Sequence, residues 1–570
     1  MSATDTSAGA EPAATIDVAH DAAPTPRQRW WGWGTDGHDG PLPDGAAALL
    51  KKELGDGGER TEPVALEDVV LPPASLPAAA RDALVAVVGA AFVTDEHAQR
   101  VSHAAGRSYP DLVRLRAGRL ECAPDAVVFP ADAAQVAAIL QVCVEHGIAV
   151  VPFGGGSSVV GGVDALRGGH AAAICLDVTR LNALVDVDPV SQLATLGAGA
   201  YGPDAEALLG AHGLCLGHVP QSFEFSTVGG WVATRSSGQA STGYGRIDAL
   251  VRGLKVATPA GEITALALPG TAAGPDLRDL LVGSEGTLGV ITEATVRVRP
   301  TPEVRHSEAW AIDGFAAGVD AVRELEQSGV PADVTRLSDE EETRFNLAAG
   351  GTAAAALSLY LRARGRSRPC ILLLSFDGSA DSVLERRRRA ARVLHRHGAV
   401  DLGGRPGAAW EAGRFHGPYL RDELMSTGHL VDTLETAAPW ATLLDVYRSV
   451  GAALRQTLTA RGTPPLVGCH VSHLYPTGAS LYFTFLARSE RGRELEQWRA
   501  AKTAAGDAIV AAGATITHHH AVGRDHAPWL AAEIGDLGLE VLRATKARLD
   551  PTGIMNPGKL MHGPTELGLR

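Results

Sequence analysis

Val150-Val151-Pro152-Phe153 runs straight into Gly154-Gly155-Gly156, then Ser157-Ser158 and, past Val159-Val160, a second pair, Gly161-Gly162. Glycine lacks a β-carbon, so backbone N–H groups can turn toward one point and a ligand can approach the main chain closely. Successive N–H groups in such a turn make an anion-binding nest. The stretch therefore reads as a diphosphate cradle. For the glycines alone a surface turn is an equal alternative, and companion motifs further along decide between the two. The usual dinucleotide fingerprint is not supported, because the third position after Gly156 is Val159 rather than glycine.

Bulk properties exclude several classes. The 570 residues give room for several domains and a sizeable core. No apolar run approaches the roughly 20 residues of a membrane span. A net charge of −14 argues against nucleic acid as a partner. The one basic block, Arg386-Arg387-Arg388-Arg389, lies between Leu384 and Val393-Leu394 and reads as the wet face of a helix. Six cysteines (122, 143, 175, 215, 370, 469) form no CxxC pair, which fits a reducing compartment and neither a zinc ribbon nor a disulfide scaffold. The first residues, Met1-Ser2-Ala3-Thr4-Asp5, lack a signal-peptide pattern, so a cytoplasmic location is expected.

Residues 1–28 are rich in Ala, Thr, Asp and Pro and are expected to be disordered. Residues 29–94 form a docking segment, opened by Arg29-Trp30-Trp31-Gly32-Trp33-Gly34, whose tryptophans are costly to expose and are expected to anchor on another domain. From 95 to 300 strands and helices alternate. Ala126–Phe129 reads as a strand, and Asp132 caps a helix with apolar positions Val136, Ile139, Leu140 and Val144 that Gly147 ends. A helix beginning near Trp231 is expected to turn free N–H groups toward a phosphate. Residues 301–510 show longer helical patterns with a few strands, an α+β unit. In Ala479–Phe485, alternation puts Leu481, Phe483 and Phe485 on one face and Tyr482 and Thr484 on the other. Residues 511–570 carry His518-His519-His520 and close on a helix end and turn.

The cradle, Phe225-Ser226-Thr227-Val228-Gly229-Gly230, Gly283-Ser284-Glu285-Gly286-Thr287-Leu288-Gly289 and Asn556-Pro557-Gly558-Lys559 together resemble the vanillyl-alcohol-oxidase type of FAD-binding flavoprotein. Within that group the chain is similar to the alkyldihydroxyacetonephosphate synthases. The discriminating motifs are Trp31-Gly32-Trp33-Gly34, Pro220-Gln221-Ser222-Phe223-Glu224-Phe225, Tyr419-Leu420-Arg421-Asp422, Glu435-Thr436-Ala437-Ala438-Pro439-Trp440 and His518-His519-His520. The resemblance implies an α+β fold: a two-part FAD-binding domain (95–300, rejoined by 511–570), a substrate cap (301–510) and an N-terminal extension. It implies FAD held by Pro152, Phe153, Gly154, Gly155, Gly156, Ser157, Ser158, Val159, Pro220, Ser222, Ser226, Thr227, Gly229, Gly230, Arg235, Ser236, Gly238, Glu285, Gly286, Gly289, Val290 and Ile291. Some relatives tether the flavin through a histidine beside the cradle. Residues 153–163 contain none, so non-covalent FAD is expected.

The implied reaction replaces the fatty acid of acyl-dihydroxyacetone phosphate with a fatty alcohol in ether-lipid synthesis, without net redox, through a covalent adduct at flavin N5. By motif match Tyr482 handles the proton, Arg421 pairs with phosphate, and Arg336 is a further sensitive position. A phenol with a reference pKa of about 10 needs help from neighbouring cations or the flavin. Three adjacent histidines seldom all reach one ion, so no metal is expected. The resemblance instead sets His518, His519 and His520 against substrate phosphate and flavin, with Ala521 where the family usually has glycine. If the triplet is extended, its outer two rings share a face. His470 and His473 read as structural or secondary residues. A homodimer and peripheral membrane contact are expected. The main rival is an FAD-linked 2-hydroxyacid dehydrogenase or oxidase, but Pro476–Tyr482 has no Asp-Gly-Asn and His520-Ala521-Val522-Gly523 replaces His-Gly-x-Gly. A catalytically inactive flavin-binding scaffold is the third reading.

Overall fold

Strands Ala126–Val128, Ala172–Asp177 and Ile148–Phe153 lie side by side in parallel, and every residue but Pro152 is buried, as expected for a parallel sheet covered on both faces. In the computed structural model, which describes residues 23–24, 27–37 and 40–561, this sheet has the order Val93–Thr94, 126–128, 172–177, 148–153. The crossover helix Ala133–His146 is capped by Asp132, whose carboxylate accepts from the Gln135 amide at 2.8 Å, and Gly147 ends it at φ 62. Cys143, rather than the expected Val144, is its fourth fully buried side chain.

Beside this sheet an antiparallel one has the order Leu184–Asp188, Leu193–Gly197, Val290–Arg297, Val251–Thr258, Gly261–Ala265. One hydrophobic core joins both sheets to helix Ala78–Val88 and to residues 522–561. The chain's end returns to the first sheet: Met555 bridges Val150, whose amide donates to the Ile554 carbonyl at 2.8 Å.

The second lobe is a seven-stranded, fully antiparallel sheet with the order Val400–Gly403, Val304–Asp313, Pro369–Gly378, Val334–Ser338, Leu466–Tyr475, Gly478–Arg488, His429–Pro439. Its strands are more numerous than the helical patterns of 301–510 suggested. Period-two alternation gives each strand two faces. Val467, Cys469, Val471, Leu481, Phe483 and Phe485 pack against helices Phe315–Gln327, Leu443–Ala460 and Glu494–Ala511. Gly468, His470, Ser472, Tyr482, Thr484 and Leu486 point the other way, into a cavity between the lobes. The Arg386–Arg389 block lies on helix Ala380–Arg396 but is not simply solvated, because Arg386 pairs with Asp333 at 2.9 Å and Arg387 with Glu308 at 2.7 Å.

Much of the segment expected to be disordered, 1–22 and 25–26, lies outside the described residues. The described residues of that segment are docked: the Pro24 carbonyl accepts from Gln99 at 3.1 Å, Arg27 pairs with Asp204, and Gln28 is buried and donates to the Gly155 carbonyl at 2.9 Å. Trp33 sits in a small core with Val69, Val101, Ala105, Leu112 and Leu115. Its amide and the Arg29 guanidinium converge on Asp422 of helix Gly417–Ser426, at 2.8 and 2.7 Å. This strap runs from the cradle to the second lobe. No helix among the described residues is long and apolar enough to cross a membrane.

Candidate active site

The cradle follows strand Ile148–Phe153 and presses onto residues 225–227. A β-carbon on Gly154 would overlap the Thr227 hydroxyl, and one on Gly155 would overlap the Phe225 carbonyl, while Gly156 has φ +65. Among the described residues, the amides of Gly154 through Val159 make no hydrogen bond to protein, whereas those of Val160 and Gly162 reach Ser158 Oγ at 3.4 and 3.0 Å. Unpaired donors beside a cavity are costly without a ligand, and they suit a diphosphate. Helix Val228–Thr234 does not supply the free donors expected of it. The Val228 and Gly229 amides bind the carbonyls of Ala200 and Ala198 at 2.9 and 2.7 Å, and the Gly230 amide binds Thr227 Oγ1 at 3.4 Å.

Glu285 closes the cradle. Its carboxylate accepts from the Val522 and Gly523 amides at 2.8 and 2.7 Å, and its carbonyl accepts from Asn556 Nδ2 at 2.7 Å. Burial pushes the carboxyl up to about 7 against those two amides. His103 packs on Phe153 with ring centroids 4.6 Å apart, but its Nδ1 is 2.8 Å from the Gln99 carbonyl and its Nε2 3.0 Å from Asp177.

One cavity of about 480 Å³ runs from the cradle to the second lobe's sheet. Pro152–Val159, Pro220, Ser222, Ser226, Thr227, Gly229, Gly230, Ser236, Glu285, Gly286, Gly289, Val290 and Ile291 line it on one side, and Arg336, Arg421, Tyr482, His519 and His520 on the other. Arg235, Gly238 and His518 stand behind the wall. Arg235 ends its helix at φ 53, Gly238 packs on the Val219 amide, and His518 Nε2 lies 2.6 Å from the Tyr475 hydroxyl. Beyond Arg421 the lining is richer in apolar side chains, with Leu49, Phe345, Leu424, Val431, Leu466 and Leu486, while Glu341, Arg344 and Asn346 stand beside Phe345.

Three rings surround Tyr482: His470 stacks on it at 4.8 Å between centroids, His520 meets it edge-on at 5.5 Å, and His519 lies 6.0 Å away. Burial pushes the phenol above its ordinary 10.0, while a hydrogen bond with Thr433 and the charge of Arg421 pull the other way. Arg421 is buried and held by the Arg107 carbonyl at 3.2 Å and by Asp432 at 3.3 Å. Arg336 pairs with Glu342, whose other oxygen is 3.1 Å from His470 Nδ1. Burial resists ionisation of Glu342, yet His470 and Arg336 hold its carboxyl down to about 2.

The histidine triplet is not an extended strand. The amides of His518, His519 and His520 and the Thr517 hydroxyl all donate to the buried carboxylate of Glu435. This wraps the backbone around one anion and brings neighbouring rings to 5.2 and 4.7 Å between centroids, so strand alternation does not apply. Burial resists ionisation of Glu435, and the four donors from residues 517–520 favour its carboxylate form. Burial also pushes His470, His473, His518, His519 and His520 below the usual imidazole range. The fixed positive charge lining the cavity comes from Arg421, Arg336 and Arg344, the last paired with Glu341 and Glu53.

The wrap ends at Ala521, at φ +74, a left-handed value that strains a residue with a β-carbon. Ala521→Gly is expected to raise stability by about 1 kcal/mol, less the added chain entropy of glycine, read as a higher thermal midpoint with FAD retained.

Glu435, Glu342, Asp432 and Asp422 organise the site and carry no role in the sequence reading. Glu342 sits in a run of three glutamates that looks like the first turn of a helix, as it is. Glu435 and Asp422 lay inside noted motifs, but an acidic residue alone does not reveal a partner 80 or 390 positions away.

Residues 124–267 match the family described as FAD binding domain, and residues 301–560 match FAD linked oxidases, C-terminal domain. An alkyldihydroxyacetonephosphate synthase of Dictyostelium discoideum is 31% identical over 540 residues, covering 91% of this chain and 88% of that protein. Another, of Trypanosoma brucei brucei, is 31% identical over 476 residues, covering 82% and 78%. A solved alkyldihydroxyacetonephosphate synthase superposes with a TM-score of 0.82 at 28% identity, covering 94% of this chain and 99% of its own.

Proposed function

The chain belongs to the alkyldihydroxyacetonephosphate synthase family of FAD-binding enzymes, and from that membership we propose that it exchanges the acyl group of acyl-dihydroxyacetone phosphate for a fatty alcohol with no net oxidation. The observation that carries this reading is the single cavity lined by the unpaired cradle amides, by Tyr482 with Arg421 and Arg336, and by an apolar end. FAD is the cofactor, and bound along the cradle it would supply a nucleophilic centre facing Tyr482 and the arginines.

The residues divide the remaining work. The Gly154–Val159 amides hold the cofactor's diphosphate non-covalently. Arg421 and Arg336 pair with substrate phosphate, the first through a guanidinium already oriented by Asp432. His519 and His520, uncharged, donate hydrogen bonds from the same wall. Tyr482 takes the proton from the carbon bearing the acyl group. Burial makes its phenolate costly, and the positive charge of Arg421 offsets part of that cost. The apolar end by Leu424, Val431, Leu466 and Leu486 receives the alkyl chain and excludes water. The proposal includes a cytoplasmic homodimer that meets its lipid substrates by peripheral membrane contact.

Anaerobic mixing with substrates tests it. Acyl-dihydroxyacetone phosphate and labelled fatty alcohol should give labelled ether lipid and free fatty acid, and a D-2-hydroxy acid should leave the flavin absorbance unchanged. Rapid bleaching by the hydroxy acid, with no labelled lipid, would establish the dehydrogenase instead.

A further inference from the structure

Strand Leu466–Tyr475 slips register against its neighbour between Ser472 and Leu474, and the residue at the slip, His473, has φ +52. Such a bulge re-aims a side chain at an energetic cost. Here it turns the His473 ring to the first lobe, where Nδ1 lies 2.6 Å from Ser241 Oγ and 3.1 Å from Ser237 Oγ. With its hydrogen on Nδ1 and donated to a serine oxygen, His473 presents a bare Nε2. His518 is fixed from its opposite end, because its Nε2 can donate to the Tyr475 hydroxyl at 2.6 Å, which leaves Nδ1 bare. That Nδ1 lies 2.9 Å from Nδ1 of His519. Two ring nitrogens so close need a hydrogen or a cation between them.

The ligand atoms of His473, His518 and His519 all lie within 4.8 Å of one another. A tetrahedral zinc site holds imidazole nitrogens 2.0–2.1 Å from the ion, hence about 3.3 Å apart, so small ring rotations close the set. Hydroxyls on the far nitrogens of His473 and His518 are of the kind that orient metal-bound histidines, and the Glu435 carboxylate, 3.6 Å from His519 Nδ1, places negative charge beside the set. The backbone at 518–520 is already pinned by that carboxylate.

We propose that His473, His518 and His519 form a three-histidine site for a first-row divalent transition metal, with zinc as the reference ion and the fourth position open. His473 and His519 both line the cavity, so the open position is within reach of an oxygen ligand there, such as a phosphate. The trio is two adjacent histidines plus one from a distant strand, which avoids the difficulty of three neighbours reaching one ion. It shares His519 with the exchange wall, but metal binding is read without turnover, so its failure and that of the exchange reading are distinguishable.

The test is equilibrium dialysis of the tag-free holoprotein, stripped with a chelator, against Zn²⁺, followed by elemental analysis. One zinc per chain is expected, with at least a hundredfold weaker binding in His473→Ala and His519→Ala. Ser241→Ala, which removes only a hydroxyl behind the ligand, should weaken binding about tenfold. His520→Ala, outside the trio, should leave it unchanged. Flavin absorbance reports folding in each variant. Wild type that binds no more zinc than a protein lacking all three rings, or full binding in His473→Ala, overturns the site.

Discussion

Tyr482→Phe should reduce exchange by ~10²–10⁴-fold, the range ordinarily contributed by one positioned proton-transfer group, with the flavin spectrum unchanged and the thermal midpoint lowered by no more than the loss of one hydrogen bond, about 1 kcal/mol, to Thr433. The substitution removes one oxygen from a ring that keeps its place. Strand neighbours Leu481 and Phe483 stay buried in the helix-facing core, and His470 still stacks on the ring. FAD retention rests on the other wall of the cavity, so the variant should remain yellow. A Tyr482→Phe protein with full turnover would remove this residue from the proton path, and His520, edge-on to the same ring, would be the next group to replace.

The second large effect concerns the cradle. Gly155→Ala puts a β-carbon onto the Phe225 carbonyl oxygen, and neither partner is the loose end of a flexible side chain. The loop must lift off residues 225–227, taking the Gly154–Val159 amides out of line. FAD affinity is expected to fall at least a hundredfold, a loss of about 2.7 kcal/mol, so the protein should purify colourless or lose its colour on gel filtration. Gly210→Ala is the control: a β-carbon there meets nothing within 4 Å at the end of helix Gly202–Gly210, and FAD should be kept. Equal flavin content in both variants would mean that the glycines are not needed to place the loop.

Some of this organisation is legible in the residues alone. The Leu481/Phe483/Phe485 alternation sets Tyr482 on the opposite face without any knowledge of the fold, and Asp132 and Gly147 mark the ends of their helix. Strands Leu466–Tyr475 and His429–Pro439 are harder to read, for a physical reason. Their cavity faces carry Gly468, His470, Ser472 and Thr433, and His429–Pro439 also buries Asp432 and Glu435. A strand that buries polar groups on one face and pairs carboxylates in the interior loses the apolar signature by which strands are recognised. The carboxylates are stable there only because Trp498 donates to Asp432 at 2.7 Å and the 517–520 backbone folds around Glu435. Those partners lie more than 60 positions away. The same wrapping bends the histidine triplet, and at helix Val228–Thr234 it is the carbonyls of Ala200 and Ala198, brought in from an earlier segment, that occupy the first amides.

Oxygen-monitored turnover bears most directly on the redox-neutral exchange. Holoprotein, acyl-dihydroxyacetone phosphate and labelled fatty alcohol are held in a closed cell with an oxygen electrode. One fatty acid released per labelled chain incorporated, with the oxygen trace flat, is the predicted result. Oxygen consumed in step with turnover, or hydroxy acid oxidised while no label enters lipid, would contradict it.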